Sequence, residues 1–88
     1  MYSIFRTNSF KKDYKKLLDD DKKILREVVT KLVNNEKLES KYKDHKLRGN
    51  LKSFKECHLR PDLLLIYKKD SKILELALIQ IGKHSCIF

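Results

Sequence analysis

Apolar residues change their spacing once along this chain, and that change limits what it can fold into. Up to Val33 they recur at helical intervals, and from Leu51 they alternate or run together as in strands. Phe10, Tyr14, Leu17 and Leu18 fall at i, i+4, i+7 and i+8, one stripe on a lysine-rich helix. Thr7, Asn8 and Ser9 offer oxygens to cap its start. Asp19-Asp20-Asp21 interrupts the stripe, and one of the three is expected to cap a second helix. That helix carries Ile24, Leu25, Val28, Val29, Leu32 and Val33 and ends at Asn34-Asn35. The tight joint predicts an antiparallel helix hairpin whose stripes belong to a core.

Ile4 and Phe5 predict a short first strand inside residues 1–6. Residues 36–50 have no clear period and read as a long basic connection ending at Gly49-Asn50. Leu51 to Leu59 reads as a half-exposed strand, with a turn at Arg60-Pro61-Asp62. Leu63 to Tyr67 reads as a buried central strand, Lys68 to Ser71 as a turn, and Ile73 to Ile81 as a third strand ended by Gly82. Helices and strands are segregated. The expected fold is α+β: a short N-terminal strand, an antiparallel two-helix hairpin, then an antiparallel β-meander, with the helices on one sheet face. At 88 residues, 1–88 is one domain.

Charge narrows the function. The chain has 21 Lys and Arg against 12 Asp and Glu, a net +9. Such an excess favours a polyanionic partner: nucleic acid, a ribosome or an acidic protein. It is concentrated in residues 41–60, where seven Lys and Arg oppose only Asp44 and Glu56. A solvated basic loop would show the same excess. There is no apolar run long enough to span a membrane. Met1 to Arg6 is too short and polar for a secretory signal, so the expected location is cytoplasmic. Cys57 and Cys86 make no disulfide framework and fit free thiols in a reducing compartment.

All three histidines lie in the second half, each in a polar cluster with Lys or Arg. The clusters are Tyr42-Lys-Asp-His45-Lys-Leu-Arg48-Gly49, Glu56-Cys-His58-Leu-Arg60-Pro61-Asp62 and Gly82-Lys83-His84-Ser-Cys-Ile-Phe88. Imidazole, with an ordinary pKa of about 6.5, gives and takes protons at neutral pH. Cleavage of RNA by its own 2′-hydroxyl needs a base for that proton, an acid for the 5′-oxygen and cations for the phosphorus. His45, His58, His84 and Asp62 are the candidates for the proton transfers. Lys46, Arg48, Arg60 and Lys83 are the candidates for the cations, and Phe88 could stack on a base. Glu56 and His58 should share a face, with Cys57 on the other. Glu56 and Asp62 flank His58 and could orient it. No metal or cofactor is expected: neither cysteine has zinc-ligand spacing, and Gly49 and Gly82 make no phosphate loop.

Together the three clusters resemble the YafQ branch of the RelE toxin superfamily, and the resemblance extends over nearly the whole chain. It implies the toxin of a type II toxin–antitoxin pair, which enters the ribosomal A site and cuts mRNA without metal. It implies a cognate antitoxin as partner, with DNA bound only through that antitoxin and no membrane. The family's loop histidine matches His45. Its acidic residue two before the second histidine, usually Asp, matches Glu56, and that second histidine matches His58. The Asp after Pro matches Asp62, the Gly-x-His histidine His84, and the closing Phe Phe88. On this resemblance His84 is the expected general acid, and His45 or His58 the base, with Asp62 orienting or sharing that role. Two other readings stay open on sequence: an RNase acting on free RNA, and a basic RNA- or ribosome-binding module without catalysis.

Overall fold

The computed structural model describes residues 1–46 and 54–83. In chain order come strand β1 (Ser3–Arg6), helices α1 (Asn8–Lys15) and α2 (Asp19–Val33), and a 3₁₀ turn at Ser40–Tyr42. Four strands follow: β2 (His45–Lys46), β3 (Lys55–Arg60), β4 (Leu63–Asp70) and β5 (Glu75–Lys83). They form one five-stranded sheet in the order β1-β5-β4-β3-β2. β2 through β5 pair antiparallel, as the expected meander does. β1 joins β5 in parallel, from Ser3 opposite Glu75 to Arg6 opposite Leu78, which makes the sheet mixed.

Both helices lie on one face, α1 over β5 and α2 over β3. The helix stripes explain this. Phe10, Leu25, Val28 and Leu32 are buried against Cys57, Leu65, Tyr67, Leu76, Leu78 and Ile81 of the sheet. Thr7 caps α1: its Oγ1 accepts from the Phe10 N–H at 3.1 Å and donates to the Ile79 carbonyl at 2.6 Å. One hydroxyl thus ends a helix and ties it to β5. Asp13 adds a second tie by accepting the Ile81 N–H at 3.0 Å. Among the described residues, no helix is long and apolar enough to cross a membrane.

Several local expectations need correction. The cap of α2 is Leu18, without a side-chain hydrogen bond, and the three aspartates occupy the first turn instead. There their charges favour the positive end of the helix dipole without capping it. Leu18, read as part of the α1 stripe, is 73 % exposed. β4 runs through to Asp70, and the turn is residues 71–74, closed by Asp70 Oδ1 accepting from the Lys72 N–H at 2.9 Å. Ile73 and Leu74 therefore lie in that turn, exposed, and β5 starts at Glu75. Gly82 does not end β5 but pairs with Leu64 inside it. The 36–50 connection is not featureless, because it contains the 3₁₀ turn and β2. The strand read over Leu51–Leu59 is described only from Lys55, since residues 47–53 lie outside the described residues.

Candidate active site

Strand β2 decides where His45 goes. Its register sets His45 opposite Glu56 and Lys46 opposite Lys55. On β3, Glu56 and His58 alternate with the core residue Cys57, so both turn away from the helices, as expected. His45 arrives on that same face. The result is a cluster of two imidazoles around one carboxylate, with ring centroids 6.3 Å apart. Glu56 Oε1 lies 3.2 Å from His58 Nε2 and 3.6 Å from His45 Nε2.

Glu56 is only 5 % exposed, which the sequence did not suggest. A charge is buried only where partners compensate its lost hydration, and here two imidazoles do so. The other ring nitrogens face backbone carbonyls. His45 Nδ1 lies 2.6 Å from the Lys43 carbonyl oxygen, and His58 Nδ1 lies 3.3 Å from that of Pro61. Carbonyl oxygens only accept, so each Nδ1 carries its proton. An ionised carboxylate also only accepts, so His58 Nε2, 3.2 Å from Glu56, fits a donor to it, whereas His45 Nε2, at 3.6 Å, lies beyond hydrogen-bond distance.

The remaining candidates divide. Asp62 is exposed in the β3–β4 turn and does not orient His58. The β-bulge between His58 and Arg60 shifts the register there, and the Pro61 carbonyl takes the place expected for that carboxylate. Arg60 and Lys83 both come to the turn end of the sheet, on either side of Leu63. Arg60 is engaged by the Asp21 carboxylate of α2, whose hydrogen bond pushes the guanidinium pKa further up. Lys46 is exposed beside His45. Beside His58 is a hollow of about 360 Å³, walled by Tyr42, Leu59 and Pro61 and rimmed by the cations of Lys41, Lys43 and Arg60. Arg48, His84, Cys86 and Phe88 lie outside the described residues.

On the helix side of the same strands is a second polar group that sequence reasoning missed. Asp44 accepts from the Tyr67 hydroxyl and, on Oδ2 at 3.0 Å, from Lys55 Nζ. Burial, and then that hydrogen bond, push the Tyr67 phenol well above its usual range. Burial, with Asp44 adding to it, pushes the Cys57 thiol from 9.0 up to about 12. The sign of the stability effect follows. Between about pH 9 and 12 the unfolded thiol loses its proton and the folded one keeps it, so stability falls as pH rises. Tyr67 acts in the same direction at higher pH. The urea midpoint is expected to decline steadily above pH 9, and to decline less in a Cys57→Ala variant. An equal decline in both would remove Cys57 from the account.

This small basic fold can be set beside known proteins. A family model described as the bacterial toxin of type II toxin–antitoxin systems, YafQ, matches residues 2–88. The mRNA interferase toxin YafQ of Escherichia coli K12 is 38 % identical over 65 residues, 73 % of this chain and 68 % of that protein. A metal-bound toxin from Helicobacter pylori superposes with a TM-score of 0.91 at 44 % identity, covering 100 % of both chains. YafQ in the E. coli DinJ–YafQ complex superposes at 0.85 with 31 % identity, covering 100 % of this chain and 99 % of that one. The class is therefore the toxins of type II toxin–antitoxin systems. Within it, the chain belongs to the YafQ family.

The metal of the H. pylori toxin prompts a test of fit here. Ligand nitrogens and oxygens must converge to about 2.0–2.2 Å from a common point around zinc. No group of three or more such side chains is arranged in this way among the described residues. Both imidazole Nε2 atoms are directed at one carboxylate oxygen instead.

Proposed function

We propose that this toxin is an mRNA endoribonuclease that acts on the translating ribosome. The observation that carries the reading is the pair of imidazoles on the buried Glu56 carboxylate, open to the surface of a chain with net charge +9. The curated name of the E. coli relative, an mRNA interferase, supports it. So does the cation set, since a phosphodiester substrate must gather positive charge.

The chemistry runs as follows. His45 Nε2, on the more exposed of the two rings, takes the proton of a 2′-hydroxyl. The resulting imidazolium is stabilised by Glu56. The 2′-oxygen forms its bond to phosphorus, and the bond from phosphorus to the 5′-oxygen breaks. His84 gives a proton to that oxygen. The products are a 2′,3′-cyclic phosphate and a 5′-hydroxyl end, with no net change in protons. His58 shares the Glu56 carboxylate and can act as the base in turn. Lys46, Arg48, Arg60 and Lys83 bind phosphates, with Arg60 leaving Asp21 to do so. Phe88 stacks on a base next to the cut. A cognate antitoxin with an acidic segment neutralises the toxin, as complex formation by the E. coli relative suggests.

A defined mRNA incubated with the purified toxin, with and without translating ribosomes, tests this. The expected result is cutting only with ribosomes, with cyclic phosphate ends, and no cutting by a folded His84→Ala variant. Cutting of free RNA would make the toxin a general RNase. Ribosome binding without new RNA ends would make it a binding module and end the catalytic reading.

A further inference from the structure

His45 stands on an edge strand of the sheet. β2 is described over His45–Lys46 and, among the described residues, is paired only with β3. Such an edge cannot by itself hold an imidazole to the fraction of an ångström that proton transfer requires. The residue before it, however, is fastened on the opposite face. Asp44 accepts one hydrogen bond from Tyr67 of β4 and one from Lys55 of β3. Tyr67 is wholly buried in the helix-side core, and Lys55 is its partner in the β3–β4 register. Lys55 Nζ also lies 5.8 Å over the Tyr67 ring, a cation–π distance. The network therefore spans two central strands and the segment leading into β2.

Alternation turns this anchor into a direction. Successive side chains of an extended chain point to opposite faces, so a carboxylate held on the helix side sends the next side chain to the open side. The backbone just upstream is equally constrained. Lys43 has φ 47° and ψ 46°, the left-handed region that non-glycine residues avoid. That conformation persists where the surroundings over-determine it, and such residues gather at functional sites. Its carbonyl oxygen is the one that accepts the His45 Nδ1–H. The left-handed turn and the Asp44 anchor thus act on one ring from two sides.

The geometry points to Asp44 as a positioning residue for His45: its carboxylate, held by Tyr67 and Lys55, locks the ring with Nδ1–H on the Lys43 carbonyl and Nε2 beside Glu56. This rests on the reading of His45 as part of the cleavage machinery. Asp44 itself touches no reacting atom.

Two variants test it. Tyr67→Phe keeps the buried ring and removes only the hydroxyl, and Asp44→Ala removes the anchor. Imidazole ¹⁵N shifts report the tautomer of each histidine, independently of activity. Both variants should lose the fixed Nδ1–H signature at His45 while His58 keeps its own. Single-turnover cleavage should fall about 10- to 100-fold, the cost of a small misplacement of a reacting group, with half-saturating substrate within about twofold. In a His45→Ala background Tyr67→Phe should cost less than about threefold more, because a residue acting through His45 has nothing left to position. An unchanged His45 tautomer in Tyr67→Phe overturns the proposal, as does an equal rate loss in both backgrounds. Wild-type cleavage by His45→Ala would instead overturn the catalytic reading, while the ¹⁵N shifts still judge the anchor.

Discussion

Cleavage by a His45→Ala/His58→Ala double variant is expected to fall by about 10²- to 10⁴-fold, the range roughly contributed by one general acid–base group. The two rings share Glu56 Oε1, so they act as a unit and single replacements should not add. Glu56→Gln sharpens the test. In the wild-type background it keeps the shape and removes the charge that stabilises the imidazolium, and should cost about 10²-fold. In the double variant it should cost nothing further. A stability effect accompanies this. With both imidazoles gone, Glu56 is a buried carboxylate without its partners, which is strongly unfavourable. The double variant should therefore melt below wild type, and adding Glu56→Leu should recover much of the loss without recovering cleavage. Cleavage within tenfold of wild type by the double variant would remove both histidines from the chemistry.

The second large effect concerns the core. Leu65 is 0 % exposed and stands between Cys57 and Ile81 in the sheet, beneath the helices. Leu65→Ala removes buried methyl groups from a site walled on every side, where collapse is limited, and should cost about 2–5 kcal/mol. Against a total of about 5–15 kcal/mol that is a large share. At roughly 4–8 °C per kcal/mol for a domain of this size, the melting temperature should drop by about 8–40 °C. Leu18→Ala is the control: the same substitution at an exposed side chain should shift melting by no more than about 4 °C, within the usual ±0.5 kcal/mol of surface changes. A small shift at Leu65 would mean that the sheet repacks into the space.

The sequence was most readable where periodicity was longest. The stripe from Ile24 to Val33 gave α2, and the apolar run from Leu63 gave β4. It was least readable where tertiary context overrides local signals. β2 follows an aperiodic basic stretch, and its described residues, His45 and Lys46, are placed by pairing with the edge of β3. Ile73 and Leu74 look like strand residues but sit in a turn set by Asp70 and by the left-handed Leu74. In the candidate site, His45 and His58, which the register brings together, were singled out by their side-chain chemistry. The central place of Glu56 was not, because a glutamate in a strand reads as surface until the register brings two imidazoles against it. The bulge after His58, which leaves Asp62 aside, has no signal beyond Pro61. Asp44 and Tyr67 were hidden for a different reason: a carboxylate in a basic loop and a tyrosine in an apolar run meet only once three elements have folded together.

The parallel pairing of β1 with β5 also has a consequence in time. Thr7 caps α1 and bonds the carbonyl of Ile79, 72 residues downstream. At about 5–20 residues per second, synthesis keeps the two apart for roughly 4–14 s. During that interval the first strand and helix have no sheet to close against, and pairings this distant are also slow to form. The nascent toxin therefore spends its synthesis without a finished sheet, and a partner that engages it in those seconds meets an open fold.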